Sequence, residues 1–198
     1  MNVSIDDIKK LKELTGVGLT DAKKALVDSN GDFDKALEAM RKKGITKAEK
    51  KGDRETREGL IESYVHSNRI GVIVEVNCET DFVARLPEFK ELAHQIAMQI
   101  AAMSPKYVSE ADVPREEFDA KREELLAGDG LKGKPAEMAE KIVTGQLKKH
   151  FAEQALLSQS YIFDDKMCVE DRIKEQIAKN GENIRVAQFK RIELGVTE

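Results

Sequence analysis

Apolar positions change period along the chain, and the changes outline its elements. Near the N-terminus Ile5, Ile8, Leu11 and Leu14 form one helical stripe behind a capping-box-like Ser4 and Asp7. Thr15-Gly16-Val17-Gly18-Leu19 interrupts the stripe, its two glycines allowing a tight loop. Thr20 or Asp21 is placed to cap a second helix with Ala22, Ala25 and Leu26 inward. Asn30-Gly31-Asp32 ends that helix and caps a third, which turns Phe33, Ala36, Leu37 and Met40 inward and closes at Gly44. Three helices this short enclose a marginal core, so an exposed apolar loop used for docking is expected.

Residues 45–58 are rich in Lys, Arg and Glu and read as a solvated connector, in preference to an RNA contact made by Lys47, Lys50, Lys51, Arg54 and Arg57. Beyond it Leu60–Val65 and Ile70–Val76 pair as a hairpin around Ser67-Asn68-Arg69. A long helix from about Leu86 to Met103 follows, stopped by Pro105. Pro114 opens a charged helix through Leu125 and Leu126, and residues 128–135 are a glycine-rich flexible break. Pro135 starts the next helix, which carries Met138, Ile142, Val143 and Leu147 and is continued by Phe151, Ala155 and Leu156. Tyr161-Ile162-Phe163 is a short extended piece, Val169–Ala178 a helix and Ile184–Leu194 a last strand. Strands that do not alternate with helices as β-α-β units predict an α+β fold. A three-helix module over residues 1–52, with its connector to about residue 58, precedes a core over 59–198 built on a three-stranded antiparallel sheet packed by helices.

The sharpest change of period falls in Glu75-Val76-Asn77-Cys78-Glu79-Thr80-Asp81-Phe82-Val83-Ala84-Arg85. Before it Ile70, Val72, Val74 and Val76 alternate; after it Phe89, Leu92, Ala93, Ile96, Ile100 and Met103 recur at three and four. The junction predicts strand, sharp turn and helix, with Thr80 or Asp81 as cap. Phe82 is out of place there, because turn tips favour small polar residues. Two readings stand: the ring folds back as core, or it protrudes as an apolar plug for a partner, with Asp81 beside it for electrostatics.

Composition narrows the chemistry. In 198 residues, 35% of them charged, no apolar run approaches the roughly 20 residues that span a bilayer. The N-terminus lacks the basic start and apolar block of a secretory leader, so a cytoplasmic protein without membrane attachment is expected. Cys78 and Cys168 are too far apart for a metal knuckle and read as small hydrophobes. A net charge of −4 argues against direct nucleic-acid binding. His66, His94 and His150 belong to three different predicted elements. The residues show no zinc-hydrolase, nucleophile-elbow or Walker spacing. A binding protein with neither catalytic site, metal nor cofactor is the expectation.

The junction sequence resembles the signature of the translation elongation factor Ts family, guanine nucleotide exchange factors of elongation factor Tu. A second family signature resembles Leu11-Lys12-Glu13-Leu14-Thr15-Gly16-Val17-Gly18-Leu19-Thr20-Asp21-Ala22-Lys23-Lys24-Ala25-Leu26. The resemblance covers the whole chain. It implies that the N-terminal module is similar to a ubiquitin-associated domain. It implies further that Thr80, Asp81, Phe82 and Val83 enter the nucleotide-binding domain of Tu·GDP, dislodge Mg²⁺ and release GDP. Lys12 and Leu19 are implied as N-terminal docking contacts, Lys12 standing where the family usually has an arginine. The chain is similar to short members with one core subdomain, which implies a homodimer formed through the core's C-terminal helices or sheet. The alternative from the residues is a ubiquitin-associated-type adaptor without exchange activity, binding through the Thr15–Leu19 loop.

Overall fold

In the computed structural model, which describes residues 3–128 and 135–196, the chain opens with α1 (Ile5–Thr15), α2 (Leu19–Asp28) and α3 (Phe33–Glu49). Leu11, Ala22, Ala25, Leu26, Ala36 and Met40 bury one another at the centre of this trio. Two expected caps form: the Ser4 hydroxyl accepts the Asp6 N–H at 3.2 Å, and the Asp32 carboxylate accepts that of Lys35 at 3.1 Å.

Three expectations for this trio fail, each for a physical reason. Leu11 is fully buried, but Ile5 is 70% exposed and Leu14 is also exposed. A strict spacing of three slips by about 60° per step on a helix of 3.6 residues per turn, so Ile5 and Leu14 end on opposite faces. The α2 cap is Gly18 rather than Thr20 or Asp21, which lie inside the first turn, where the Asp21 charge suits the positive end of the helix. Finally, α3 does not close at Gly44. A Cβ there would stand 3.4 Å from the Cβ of Ala178, so the glycine lets α3 lie close against a C-terminal helix, α8 (Val169–Asn180). That packing outweighs the ~1 kcal/mol by which glycine disfavours a helix. Ala48, in the stretch that reads as solvated, is consequently buried in the main core. Arg41 strengthens the contact, bonding Asp164 at 3.4 Å and Glu175 at 2.8 Å. Burial lifts the Glu175 carboxyl above its ordinary range even with that guanidinium beside it.

β1 (Glu58–His66), β2 (Ile70–Cys78) and β5 (Ile184–Glu193) form an antiparallel sheet in the order β1-β2-β5. Ser67 and Asn68, both at positive φ, close the β1–β2 hairpin. Ala187 is the extra residue of a bulge between the Glu75–Gln188 and Val76–Val186 pairs. Val72, Val74 and Val76 point inward onto α5 (Pro87–Met103), which contributes Phe89, Leu92, Ile96 and Ile100, while α8 adds Ile173 and Ile177. One-turn α4 (Asp81–Ala84) stands between β2 and α5, so the predicted junction holds a separate short helix.

α6 (Arg115–Ala127) and α7 (Ala136–Gln154) share a small cluster around Val143, Leu147 and Phe151. Of the glycine-rich segment expected between them, residues 129–134 lie outside the described residues. Tyr161-Ile162-Phe163, expected as a lone extended piece, belongs to a second small hairpin, β3 (Ser160–Tyr161) with β4 (Asp164–Cys168). Buried Gln99 pins it, accepting the Ile162 N–H at 2.9 Å and donating to the Ser160 carbonyl at 3.1 Å. The fold is α+β, with a three-stranded antiparallel sheet and an N-terminal helical trio consistent with a ubiquitin-associated-like module. No helix among the described residues is long and apolar enough to cross a membrane.

Candidate functional site

Cys78 closes β2 opposite Ile184, the first residue of β5. The residues just beyond the two strand ends, Glu79-Thr80 and Glu182-Asn183, therefore meet although about a hundred positions separate them in sequence. The Thr80 N–H donates to Glu182 Oε2 at 3.0 Å and its hydroxyl to Oε1 at 2.7 Å. The Asn183 N–H donates to Glu79 Oε1 at 2.6 Å, and the Asn183 side chain donates to the carbonyls of Gly52 and Arg54 at 3.1 and 2.8 Å. Arg54 returns to Glu79 at 3.4 Å. Hydrogen bonds to ionised carboxylates are the stronger kind, and these tie the corner to the α8–β5 loop and to the connector.

Cys78 adds a third tie, its Sγ–H facing the Thr80 carbonyl at 3.1 Å. Burial, with the Glu182 and Glu58 charges nearby, pushes this thiol up to about 11. It stays a neutral donor and is no nucleophile. Cys168 is partly exposed, and both cysteines are free.

On this anchored corner Thr80 takes the cap position of α4, but its side chain makes no cap bond, its hydroxyl being given to Glu182. Asp81 pairs with Arg85 at 2.7 Å on the surface, a contact worth at most about 1 kcal/mol. Phe82 is 77% exposed, so the outward reading of the ring holds and the folded-back one does not. Val83 is turned inward at 7% exposure, in the main core, and anchors the corner from below. Among the expected residues, then, Thr80 and Val83 hold the turn while Asp81 and Phe82 face solvent.

Lys12 and Leu19 flank the loop between α1 and α2, and both are exposed. That loop rests on the end of α8: at Gly16, with φ 66°, a Cβ would come within 2.9 Å of the Lys179 Cα. Lys179 and Glu182 are three residues apart, at most about 11 Å of chain, so one short segment touches both exposed elements. Glu182, Asn183 and Arg54 carry no local pattern that marks them in the sequence, since their partners lie far away along the chain.

Little else gathers as chemistry. His94 Nδ1 lies 2.9 Å from Glu62, and His66 Nδ1 lies 2.9 Å from the Tyr64 hydroxyl, at the β1 edge. Among the described residues no group of three His, Cys, Asp or Glu side chains is placed to hold a metal ion. What the corner offers is an apolar ring beside a carboxylate on a hydrogen-bonded frame, an arrangement suited to binding a partner.

Comparison with known proteins places the chain in a family. A family profile described as Elongation factor TS matches residues 6–196. A relative named Elongation factor Ts from Thermotoga neapolitana is 56% identical over 196 residues, covering 98% of each chain. The protein of the same name from Thermotoga maritima is 55% identical with the same coverage. That from Caldanaerobacter subterraneus is 48% identical over 194 residues, covering 98% of this chain and 97% of the relative.

Proposed function

The chain belongs to the elongation factor Ts family, and on that premise we propose that it is a guanine nucleotide exchange factor of translation elongation. It binds elongation factor Tu·GDP, inserts the Thr80–Val83 corner beside the nucleotide, dislodges Mg²⁺ and so promotes GDP release. The observation that carries the reading is the outward Phe82 ring on a corner held by charged hydrogen bonds. An apolar ring kept in water by its own fold gains the full free energy of burial when a partner covers it, about 1.5–3 kcal/mol. The Asp81 carboxylate travels with it. Lys12 and Leu19 give a second foothold on the same domain of Tu, and an adaptor reading would leave the corner without a role.

The work is linkage rather than covalent chemistry. The factor prefers a Tu conformation that holds Mg²⁺ and GDP poorly, and reciprocity requires bound GDP and Mg²⁺ to weaken the factor by the same ratio. Removing the cation leaves the diphosphate under-neutralised. The acceleration of GDP release is therefore expected to be larger at millimolar Mg²⁺ than after chelation, as followed with fluorescent GDP in stopped flow. An equal acceleration in both conditions contradicts the metal route.

A homodimer belongs to this reading, and the outer face of the sheet is the surface proposed for it. Ile61 and Val65 of β1, Ile73 of β2 and Ile192 of β5 share the outer face, Ile61 and Ile192 more than 70% exposed, with Leu194 just beyond. Gly71 leaves open space among them. Ser63 and Lys190, the cross-strand partners of Ile73, share the face with them. Exposed apolar side chains gathered on one sheet face mark an association surface, and two such faces stack at about 10 Å. Ile73→Lys sets a second charge beside Lys190 in the middle of these apolar side chains and is expected to give a monomer by sedimentation velocity at micromolar concentration. A variant that remains dimeric places the interface elsewhere.

A further inference from the structure

Glu182 gives both carboxylate oxygens to a single residue. One takes the Thr80 hydroxyl at 2.7 Å and the other the Thr80 N–H at 3.0 Å. Two donors from one residue on one rigid fork fix its orientation as well as its position. With the Thr80 hydroxyl so engaged, α4 begins without a side-chain cap of its own. A one-turn helix has no independent stability, so the direction in which Phe82 leaves the corner is set from outside. Glu182 is itself aimed by Gly181, whose φ of 80° ends α8 while its N–H donates to the Ile177 carbonyl at 2.9 Å.

We infer that Glu182 is a positioning residue for nucleotide exchange, clamping Thr80 so that the Phe82 ring is presented outward at a fixed angle. The inference rests on the exchange reading and adds a residue that contacts neither nucleotide nor metal. The rival is a plain structural staple between the strand ends, and the two differ in one respect. A clamp that works through Phe82 has nothing left to do once the ring is gone. A staple matters equally with or without the ring.

The test measures the rate of labelled GDP release from Tu over a range of factor concentrations, with full-length wild type, Glu182→Ala, Glu182→Gln, Phe82→Ala and the Glu182→Ala/Phe82→Ala double variant. Glu182→Ala is expected to lower the maximal rate about tenfold, as a misplaced contact group does, with little change in the half-saturating concentration. Glu182→Gln retains most of the rate, because its amide oxygen accepts the Thr80 N–H and its NH₂ donates to the Thr80 hydroxyl oxygen. The double variant is no slower than Phe82→Ala alone. The clamp is overturned if Glu182→Ala exchanges at the wild-type rate, or if it lowers the rate by the same factor in both backgrounds. Should Glu182→Ala not fold, Glu182→Asp takes its place, since a carboxylate one methylene shorter reaches only one of the two donors. A normal rate for Phe82→Ala sinks the exchange reading itself. A slow Phe82→Ala beside a normal Glu182→Ala sinks the clamp alone.

Discussion

Phe82→Ala is expected to slow GDP release from elongation factor Tu about 10- to 100-fold, the factor that 1.5–3 kcal/mol of lost ring burial gives. The fold should not notice. The ring is 77% exposed and is absent from the apolar clusters of the core, so its removal opens no cavity. Surface substitutions of this kind shift stability by at most about 0.5 kcal/mol. Thermal melting followed by circular dichroism, beside the exchange assay, separates the two effects. A variant that melts early and exchanges slowly argues for a structural ring, and one that exchanges normally leaves the corner without a function. Phe82→Leu, which keeps an apolar end on the same anchored turn, should recover part of the rate.

The largest effect on stability is expected at Gly59. This residue pairs with Asn77 across the β1–β2 ladder at φ 152°, a backbone conformation open essentially to glycine. A Cβ would stand 2.2 Å from the Val76 carbonyl oxygen and 2.7 Å from the Asn77 Cα. Both are backbone atoms of the central strand, so neither can swing aside as a side chain would. Strain and overlap together make Gly59→Ala unfavourable by about 3 kcal/mol, a fall of roughly 10 °C in melting temperature for a chain of this size. The damage falls one residue before Cys78, so exchange should weaken with it, which Phe82→Ala does not do to stability. A melting temperature within about 2 °C of wild type would show that the strand yields at this point.

How much of this was legible beforehand follows from the range of each interaction. Alternation in Val72, Val74 and Val76 and the helical repeat of Phe89, Leu92, Ile96 and Ile100 are local, and both elements form where the pattern places them. The Asp32 cap is local too, and it holds. Gly44 misleads because a glycine that ends a helix and one that admits a neighbouring helix look alike until the neighbour is known. The neighbour is Ala178, more than a hundred residues away. Ile5 and Leu14 mislead for a geometric reason, a spacing of three taken for one face.

The corner divides in the same way. Its outline as strand, turn and helix is written in the period, but the exposure of Phe82 is not. Burial depends on what surrounds a ring, and what surrounds this one is held in place from the far side of the chain by Glu182 and Asn183. The use proposed for the corner comes from the family resemblance. The hydrogen-bonded frame that keeps it in shape became visible only with the strand ends brought together.

The central claim is that this outward ring opens the nucleotide pocket of Tu. Its most direct test is the release of labelled GDP from Tu at millimolar Mg²⁺, measured alone, with the wild-type chain and with Phe82→Ala at concentrations that occupy Tu equally. The account predicts rapid release with the wild type and release about 10- to 100-fold slower with the variant. Equal release with both, at matched occupancy, would contradict it.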